Sequence, residues 1–136
     1  MRHDPPAPAR GEGEGILLID DEPVVRDTLQ LLLQRAGYRV FPASDGQSGV
    51  KEFERRKDEV SLVITDMMLP DTVGTQLVKQ LRQRRANVPV IAISGMMESG
   101  DFDELLRLKP PVECLAKPLT PSTLLSAVRR GIPTAK

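Results

Sequence analysis

The sequence predicts an α/β fold in which a five-stranded parallel sheet carries helices on both faces. Short apolar runs rich in β-branched residues alternate along the chain with longer segments whose apolar residues recur every three or four positions. Some of the short runs are continuously apolar, which is typical of strands that are covered on both sides. Strands that alternate with helices favour a parallel sheet with right-handed crossovers.

Five short apolar runs are the predicted strands. They span residues 16–19, 38–41, 62–64, 90–93 and 112–115. The first, third and fourth are continuous and apolar, so we expect helices to cover them on both faces. The second and fifth contain a charged residue each, Arg39 and Glu113, and are less apolar.

Five segments between and after these strands have the apolar spacing of helices. Their apolar residues are, in order, Val25, Leu29, Leu32, Leu33 and Ala36; Val50 and Phe53; Val73, Leu77, Val78 and Leu81; Phe102, Leu105 and Leu106; and Leu124, Leu125 and Val128. Gly37 is predicted to end the first helix. Thr120 is the predicted cap of the fifth helix, and Pro121 suits its first position.

The compact arrangement of five such units is the flavodoxin-like doubly wound sheet, with strand order 2-1-3-4-5. We expect one domain over residues 15–131. Residues 1–14 are rich in Pro, Gly and Glu and predict a disordered tail or linker, and residues 132–136 predict a short C-terminal tail. In this fold, function is expected outside the carboxyl ends of the strands, near the switch point between strands 1 and 3.

The composition excludes several classes of protein. The 19 basic and 19 acidic side chains cancel, so no overall positive field favours direct binding of nucleic acid. No apolar run approaches the roughly 20 residues needed to cross a bilayer, and the N-terminus lacks the apolar core of a secretory signal. The single cysteine, Cys114, excludes an internal disulfide. We therefore predict a cytoplasmic protein without membrane insertion.

Charged and polar residues follow four of the predicted strands. Asp20-Asp21-Glu22 follows the first strand, Asp66 the third, Ser94 the fourth and Lys117 the fifth. The carboxyl ends of parallel strands meet at one edge of the sheet, so these groups should share a crevice. Clustered carboxylates favour a hard cation such as Mg²⁺. A carboxylate nucleophile beside such an ion can form an aspartyl-phosphate, while Lys117 and Ser94 stabilise the transferred oxygens.

These residues also carry a resemblance to a known family. The acidic Asp20-Asp21-Glu22 after an apolar strand, the run from Asp66 to Gly74, the pair Ser94-Gly95 and the pair Lys117-Pro118 resemble the receiver domains of two-component response regulators. Each motif alone is weak, but their order and their places at the strand ends are specific. The resemblance covers residues 15–130 and implies a phosphoryl-accepting signalling domain rather than an enzyme.

The resemblance implies a role for each residue of the crevice. Asp66 matches the phosphoacceptor. Asp21 matches the direct carboxylate ligand of Mg²⁺, Asp20 matches its neighbour that acts through water, and the backbone carbonyl of Met68 matches a further ligand. The implied partner is a histidine kinase or a histidine phosphotransfer protein, and a homodimer through helix 4, strand 5 and helix 5 is possible.

The remaining roles concern the strands beyond the phosphoacceptor. Ser94 matches the Ser or Thr of the family that moves toward the phosphoryl group. Lys117 matches the family's lysine, and the Lys117-Pro118 bond resembles its cis peptide. Cys114 occupies the position where the family often carries an aromatic switch, so that switch is missing here. The opening of the domain also resembles receivers at the C-terminal end of hybrid histidine kinases.

Four other functions compete with this interpretation. A phosphatase of the haloacid dehalogenase class needs a second Asp where Met68 stands. A serine hydrolase needs glycines where Ala92 and Met96 stand, and an EF-hand starting at Asp66 needs a Glu where Leu77 stands. An interaction module that signals without phosphate stays open, because Cys114 replaces the aromatic residue.

Overall fold

The chain alternates strictly between strands and helices in a computed structural model, which describes residues 11–95 and 99–132. The strands are β1 (Gly15–Ile19), β2 (Arg39–Ala43), β3 (Val60–Asp66), β4 (Val90–Ser94) and β5 (Glu113–Ala116). The helices are α1 (Pro23–Arg35), α2 (Gly46–Arg55), α3 (Gly74–Arg84), α4 (Ser99–Leu106) and α5 (Pro121–Gly131). The side chains of residues 99–102 lie outside the description, as does Met96.

The five strands form one parallel sheet in the order β2-β1-β3-β4-β5, which confirms the predicted topology. Ile19 at the end of β1 pairs with Thr65 of β3, and Asp66 pairs with Ile93 of β4. The carboxyl ends of these three central strands therefore lie side by side. This edge is the switch point of the sheet, because the chain leaves β1 toward β2 on one side and enters β3 on the other.

Each face of the sheet has its own apolar core. On β1, Ile16 and Leu18 pack in a cluster that includes Leu33 of α1 and Val128 of α5. The intervening Leu17 and Ile19 belong to the opposite cluster, which takes its helical residues from α2, α3 and α4. All of β1 is buried, as the continuous apolar run predicts, and each such side chain contributes about 1.5–3 kcal/mol of hydrophobic stabilisation.

Most predicted helix boundaries are close to those observed. Gly37 follows α1 with φ of 102°, a conformation that glycine adopts without strain. The hydroxyl of Thr120 accepts a hydrogen bond from Thr123 N, and α5 begins at Pro121 as predicted. Val73 was predicted on the apolar face of the third helix, and this was wrong. Val73 is the N-cap residue of α3 and is 41% exposed, because its extended backbone takes its side chain out of the helical spacing of the residues that follow.

The packed part of the described chain begins before the predicted domain start. Gly11 N donates to Ala36 O at 2.6 Å, Gly13 N donates to Gly37 O at 2.9 Å, and Glu14 O accepts from the backbone N–H of Arg39. These bonds attach residues 11–14 to the turn between α1 and β2. Residues 1–10 and 133–136 lie outside the described residues, so the predicted tails there stay predictions. No helix among the described residues is long and apolar enough to cross a membrane.

Candidate functional site

Four of the predicted residues end or directly follow strands at the switch point. Asp20 follows β1 and Lys117 follows β5, as predicted, whereas Asp66 and Ser94 are the last residues of β3 and β4. Pairing extends this far because Asp66 lies opposite Ile93 and Ser94 opposite Ala116. The ladder therefore holds the backbone of Asp66 and Ser94 in place.

The carboxylates of Asp20, Asp21 and Asp66 form an acidic cluster, in which one oxygen of each lies within 4.8 Å of the others. Asp20 and Asp66 are buried, at 3% and 8% exposed, and Asp21 is open to solvent. Three convergent oxygen donors suit a divalent cation that prefers oxygen and retains some of its waters. The cluster could therefore bind a metal ion.

Asp20 is the most constrained member of the cluster. Its Oδ1 accepts the backbone N–H of Glu22 at 2.9 Å, and its carbonyl accepts from Arg26 Nη1 at 2.8 Å. Burial raises the pKa of Asp20, and the charges of Asp66 and Glu22 add to this, while the Glu22 N–H and Lys117 oppose it. A cation in the cluster would offset this repulsion, so the donor set fits a metal.

Both oxygens of the Asp66 carboxylate have a hydrogen-bond donor. Oδ1 accepts the backbone N–H of Met68 at 3.0 Å, and Oδ2 accepts from Lys117 Nζ at 3.0 Å. A carboxylate offers about four lone pairs, so each oxygen retains one for an electrophile or a cation. The two bonds hold the carboxylate in a single orientation at the open end of the strand.

Lys117 connects β5 to the acidic cluster. Its backbone N–H donates to Ser94 O at 2.8 Å, and a cis bond to Pro118 follows, as predicted. Burial opposes its positive charge, but the hydrogen bond that Lys117 donates to Asp66 and the charges of Asp66, Asp20 and Glu22 outweigh burial and raise the pKa of Lys117. The ammonium is thus held charged beside the carboxylates.

The cluster opens into a shallow cleft of about 370 Å³. Its walls are formed by Asp21, Glu22, Asp66, Met68, Ser94, Gly95 and Lys117. Ser94 is 4% exposed at the end of β4, and the Met68 side chain is 65% exposed at the mouth. The structure thus brings together the predicted residues Asp20, Asp21, Asp66, Met68, Ser94 and Lys117 at one edge of the sheet.

Comparison with known proteins identifies the family. The family model of the response regulator receiver domain matches residues 16–129. The chain belongs to this family. The transcriptional regulator of alkaline phosphatase synthesis PhoP of Bacillus subtilis is 35% identical over 115 residues, which cover 84% of this chain and 46% of that protein. The chain thus spans about half the length of the curated relatives it matches.

Solved receiver structures agree with this assignment. A receiver domain protein from Clostridium thermocellum is 31% identical, with a TM-score of 0.77 over 87% of this chain and 93% of that one. The receiver domain of the hybrid histidine kinase CckA is also 31% identical, with a TM-score of 0.73 over 88% of this chain and 99% of that one. The predicted fold and family are confirmed.

Two further residues contribute to the site of this receiver: Arg26, which was not predicted, and Glu22, which the sequence placed in the crevice without a specific role. Arg26 lies on α1 and binds the carbonyl of Asp20, and Glu22 Oε1 lies 3.8 Å from Lys117 Nζ. Glu22 belongs to the acidic motif, but its sequence position also suits a helix cap. The structure has no side-chain cap on α1, where Glu22 occupies the capping position. The strand-end pattern predicted Glu22 and Lys117 in one crevice, and the fold places them there.

Proposed function

We propose that this receiver domain accepts a phosphoryl group on Asp66, in the presence of Mg²⁺, from a histidine kinase or a histidine phosphotransfer protein. The observation that carries the proposal is the position of the Asp66 carboxylate. It lies 3.0 Å from the ammonium of Lys117 and within 4.8 Å of the carboxylates of Asp20 and Asp21. A nucleophile, a cation-binding cluster and a fixed positive charge are thus adjacent.

Mg²⁺ would be held by Asp20, Asp21, Asp66 and the backbone carbonyl of Met68. Supporting this assignment, the three carboxylates converge, burial and nearby charge raise the pKa of Asp20, and hard oxygen donors match the preference of Mg²⁺. When bound, the ion supplies positive charge that stabilises the oxygens of the transferred group.

In the transfer step, an oxygen of Asp66 attacks the phosphorus of a phosphohistidine. The new bond is P–O, the P–N bond breaks, and its electron pair returns to the imidazole nitrogen of the donor. The product is an acyl phosphate on Asp66. Because the ladder and the Met68 N–H hold the carboxylate, most of the contribution of this chain is orientation and charge.

Lys117 and Ser94 would stabilise the phosphoryl oxygens. Lys117 is within hydrogen-bonding distance of Asp66 and stays charged, so its ammonium can bind an oxygen of the phosphoryl group after transfer. The hydroxyl of Ser94, at the end of the neighbouring strand, can donate a hydrogen bond to another oxygen. The same groups would assist hydrolysis, in which water attacks phosphorus, the P–O bond to Asp66 breaks, inorganic phosphate leaves and the Asp66 carboxylate is restored.

The product of this chemistry would be a change of conformation. An acyl phosphate adds negative charge at the switch point and shifts an existing equilibrium between two states. With Cys114 in place of the aromatic residue, the readout through β5 must use other side chains. The homodimer through α4, β5 and α5, the absence of direct nucleic acid binding, the cytoplasmic location and an origin in a hybrid kinase stay predictions.

The test is the intact mass after incubation with Mg²⁺ and a small acyl-phosphate donor. Wild type should gain a single phosphoryl group, and Asp66→Asn should gain none, because the amide is not a nucleophile. Asp58→Asn, at an exposed position after α2, is the matched control and should react like wild type. Chelation of Mg²⁺ should abolish the adduct. An adduct that persists in Asp66→Asn, or none in wild type, would favour the phosphate-independent interaction module.

A further inference from the structure

The loop between β3 and α3 (residues 67–73) is closed on itself at its base. Gly74 N donates to Met67 O at 2.7 Å, and Leu69 N donates to Thr72 O at 3.1 Å. Met68 and Val73 form an antiparallel bridge across the loop. The backbone of Met68, whose carbonyl is a proposed cation ligand, is therefore part of a small ordered loop.

The tip of this loop is attached to a different element, the N-terminus of α2. Asp71 Oδ1 accepts the backbone N–H of Gly46 at 2.9 Å, and Asp71 Oδ2 accepts that of Gln47 at 2.9 Å. The two bonds join residues more than twenty positions apart in sequence. A bidentate carboxylate at a helix N-terminus is favoured by both hydrogen bonding and the helix dipole.

Asp71 completes the N-terminus of α2, because the next two donors are already paired. Ser48 N donates to Asp45 Oδ1 at 2.7 Å, and Gly49 N donates to Asp45 O at 3.0 Å. Two carboxylates thus cap one helix, but only Asp71 belongs to the β3–α3 loop. Loss of Asp71 would leave two helix donors to water and release the tip of the loop.

The contact is close as well as polar. A Cβ atom added to Gly46 would lie 2.4 Å from Cγ2 of Thr72 and 3.2 Å from Asp71 Oδ1, so a larger residue here would displace the side chains of the loop. The side chains of Asp71 and Thr72 therefore lie directly against the backbone of the first residue of α2. This close packing, together with the two hydrogen bonds, couples the position of the loop to that of α2.

We propose that Asp71 is a positioning residue for cation binding. By attaching the loop to α2, Asp71 holds the backbone of Met68 so that its carbonyl faces the acidic cluster. This inference rests on the proposed function, because it concerns the cation that the cluster would bind. It adds a residue on the outer side of the loop that the acidic motif itself does not reveal.

The test measures Mg²⁺ binding by isothermal titration calorimetry for wild type, Asp71→Ala, Asp71→Asn and Asp45→Ala. We expect the Kd of Asp71→Ala to rise about tenfold, the low end for loss of a group that orients a ligand, since the bonds are partly exposed to water. Asp71→Asn keeps one acceptor and should be intermediate. Asp45→Ala removes a cap from the same helix without touching the loop, and should bind like wild type.

A second readout separates positioning from loss of fold. The rate of phosphorylation by a small donor is measured against Mg²⁺ concentration. Asp71→Ala should need more Mg²⁺ but reach the wild-type rate at saturation, whereas partial unfolding would lower the rate at every concentration. Amide exchange at Gly46 and Gln47 should accelerate in the same variant. If Asp71→Ala does not fold, Asp71→Asn replaces it in both measurements, and it should show a weaker Mg²⁺ affinity and a higher Mg²⁺ requirement than wild type.

The outcomes distinguish this inference from the function on which it rests. Unchanged Mg²⁺ affinity in Asp71→Ala, or an equal loss in Asp45→Ala, would overturn the role of Asp71 and leave the phosphoacceptor intact. A wild-type protein that neither binds Mg²⁺ nor accepts a phosphoryl group would overturn the proposed function, and this inference with it.

Discussion

At the scale of single residues, Cys114 stands where the family resemblance leads us to expect an aromatic residue. It lies in β5, is partly buried, and packs against the apolar cluster of the α2–α3–α4 face. Its Sγ lies 3.7 Å from Val112 O, at the distance of a weak hydrogen bond. Burial, with a smaller contribution from the charge of Glu113, raises the pKa of the Cys114 thiol to about 11. The thiol is thus suited to packing rather than to redox chemistry.

We therefore predict that Cys114 reacts slowly with alkylating reagents in the folded protein. At pH 8, a pKa of about 11 in place of the ordinary 9 lowers the thiolate population about a hundredfold. Because a more basic thiolate is also more nucleophilic, the labelling rate should fall about tenfold relative to the unfolded chain. The measurement is mass spectrometry of iodoacetamide labelling with and without denaturant. Cys114→Ser is the blank. Labelling of the native protein at the denatured rate would contradict the raised pKa of this thiol.

At the scale of elements, apolar spacing decides where helices form, while capping varies from one helix to the next. Asp45 caps α2 through a capping box, in which Ser48 N donates to its carboxylate and Asp45 N donates to the hydroxyl of Ser48. Neither α1 nor α3 has a side-chain cap. The stability of the α2 N-terminus thus depends on the charge of Asp45, whose carboxylate bonds to Ser48 and not to the β3–α3 loop.

Asp45→Ala should lower the free energy of unfolding by about 1 kcal/mol at pH 7, the usual effect of losing an N-cap. The backbone N–H of Ser48, and then its hydroxyl, lower the pKa of Asp45. Stabilisation by the charged cap is therefore present at neutral pH and lost as the pH falls through this lowered pKa.

Urea unfolding at pH 7 and at pH 3 measures both effects. Asp45→Asn retains the oxygen acceptor, so it should lose less stability than Asp45→Ala at pH 7. The difference in free energy of unfolding between wild type and Asp45→Ala should be smaller at pH 3 than at pH 7. An equal difference at the two pH values would mean that the charge of the carboxylate adds nothing to the cap.

At the scale of the whole molecule, the doubly wound topology concentrates charge at one edge of the sheet. Three carboxylates and the ammonium of Lys117 lie there, although the complete chain has no net charge. The raised pKa of Asp20 reflects burial and this crowding of negative charge. Folding therefore assembles a repulsive cluster whose stability should improve when a cation binds.

Mg²⁺ should accordingly raise the melting temperature. At a concentration one hundred times Kd, binding to the native state alone stabilises by about 2.7 kcal/mol, or on the order of 10 °C for a domain of this size. Asp21→Asn should lose this shift. Without the ion the same variant should melt at or above the wild-type temperature, because one repulsive charge is gone.

Differential scanning fluorimetry at constant ionic strength measures this stabilisation, and NaCl serves as the control for screening. An Mg²⁺-dependent shift of the same size in Asp21→Asn would place the cation elsewhere on the molecule.

The sequence alone determined the fold class, the strand order and the edge of the sheet at which the functional groups meet. These features follow from local information, since apolar periodicity defines each element and Asp20, Asp66, Ser94 and Lys117 occupy strand ends. The family resemblance added the roles of these residues. Val73 was misplaced because periodicity does not mark where a helix begins.

Only the tertiary structure decided how the surrounding groups hold the site. The bonds from Asp71 to the N-terminus of α2, and from residues 11–14 to the turn after α1, join segments that are distant or weakly patterned in sequence. The raised pKa of Asp20 likewise depends on burial by neighbouring elements. Such contacts depend on how the crossovers bring separate elements together. The spacing of residues along the chain does not reveal which distant segments will meet.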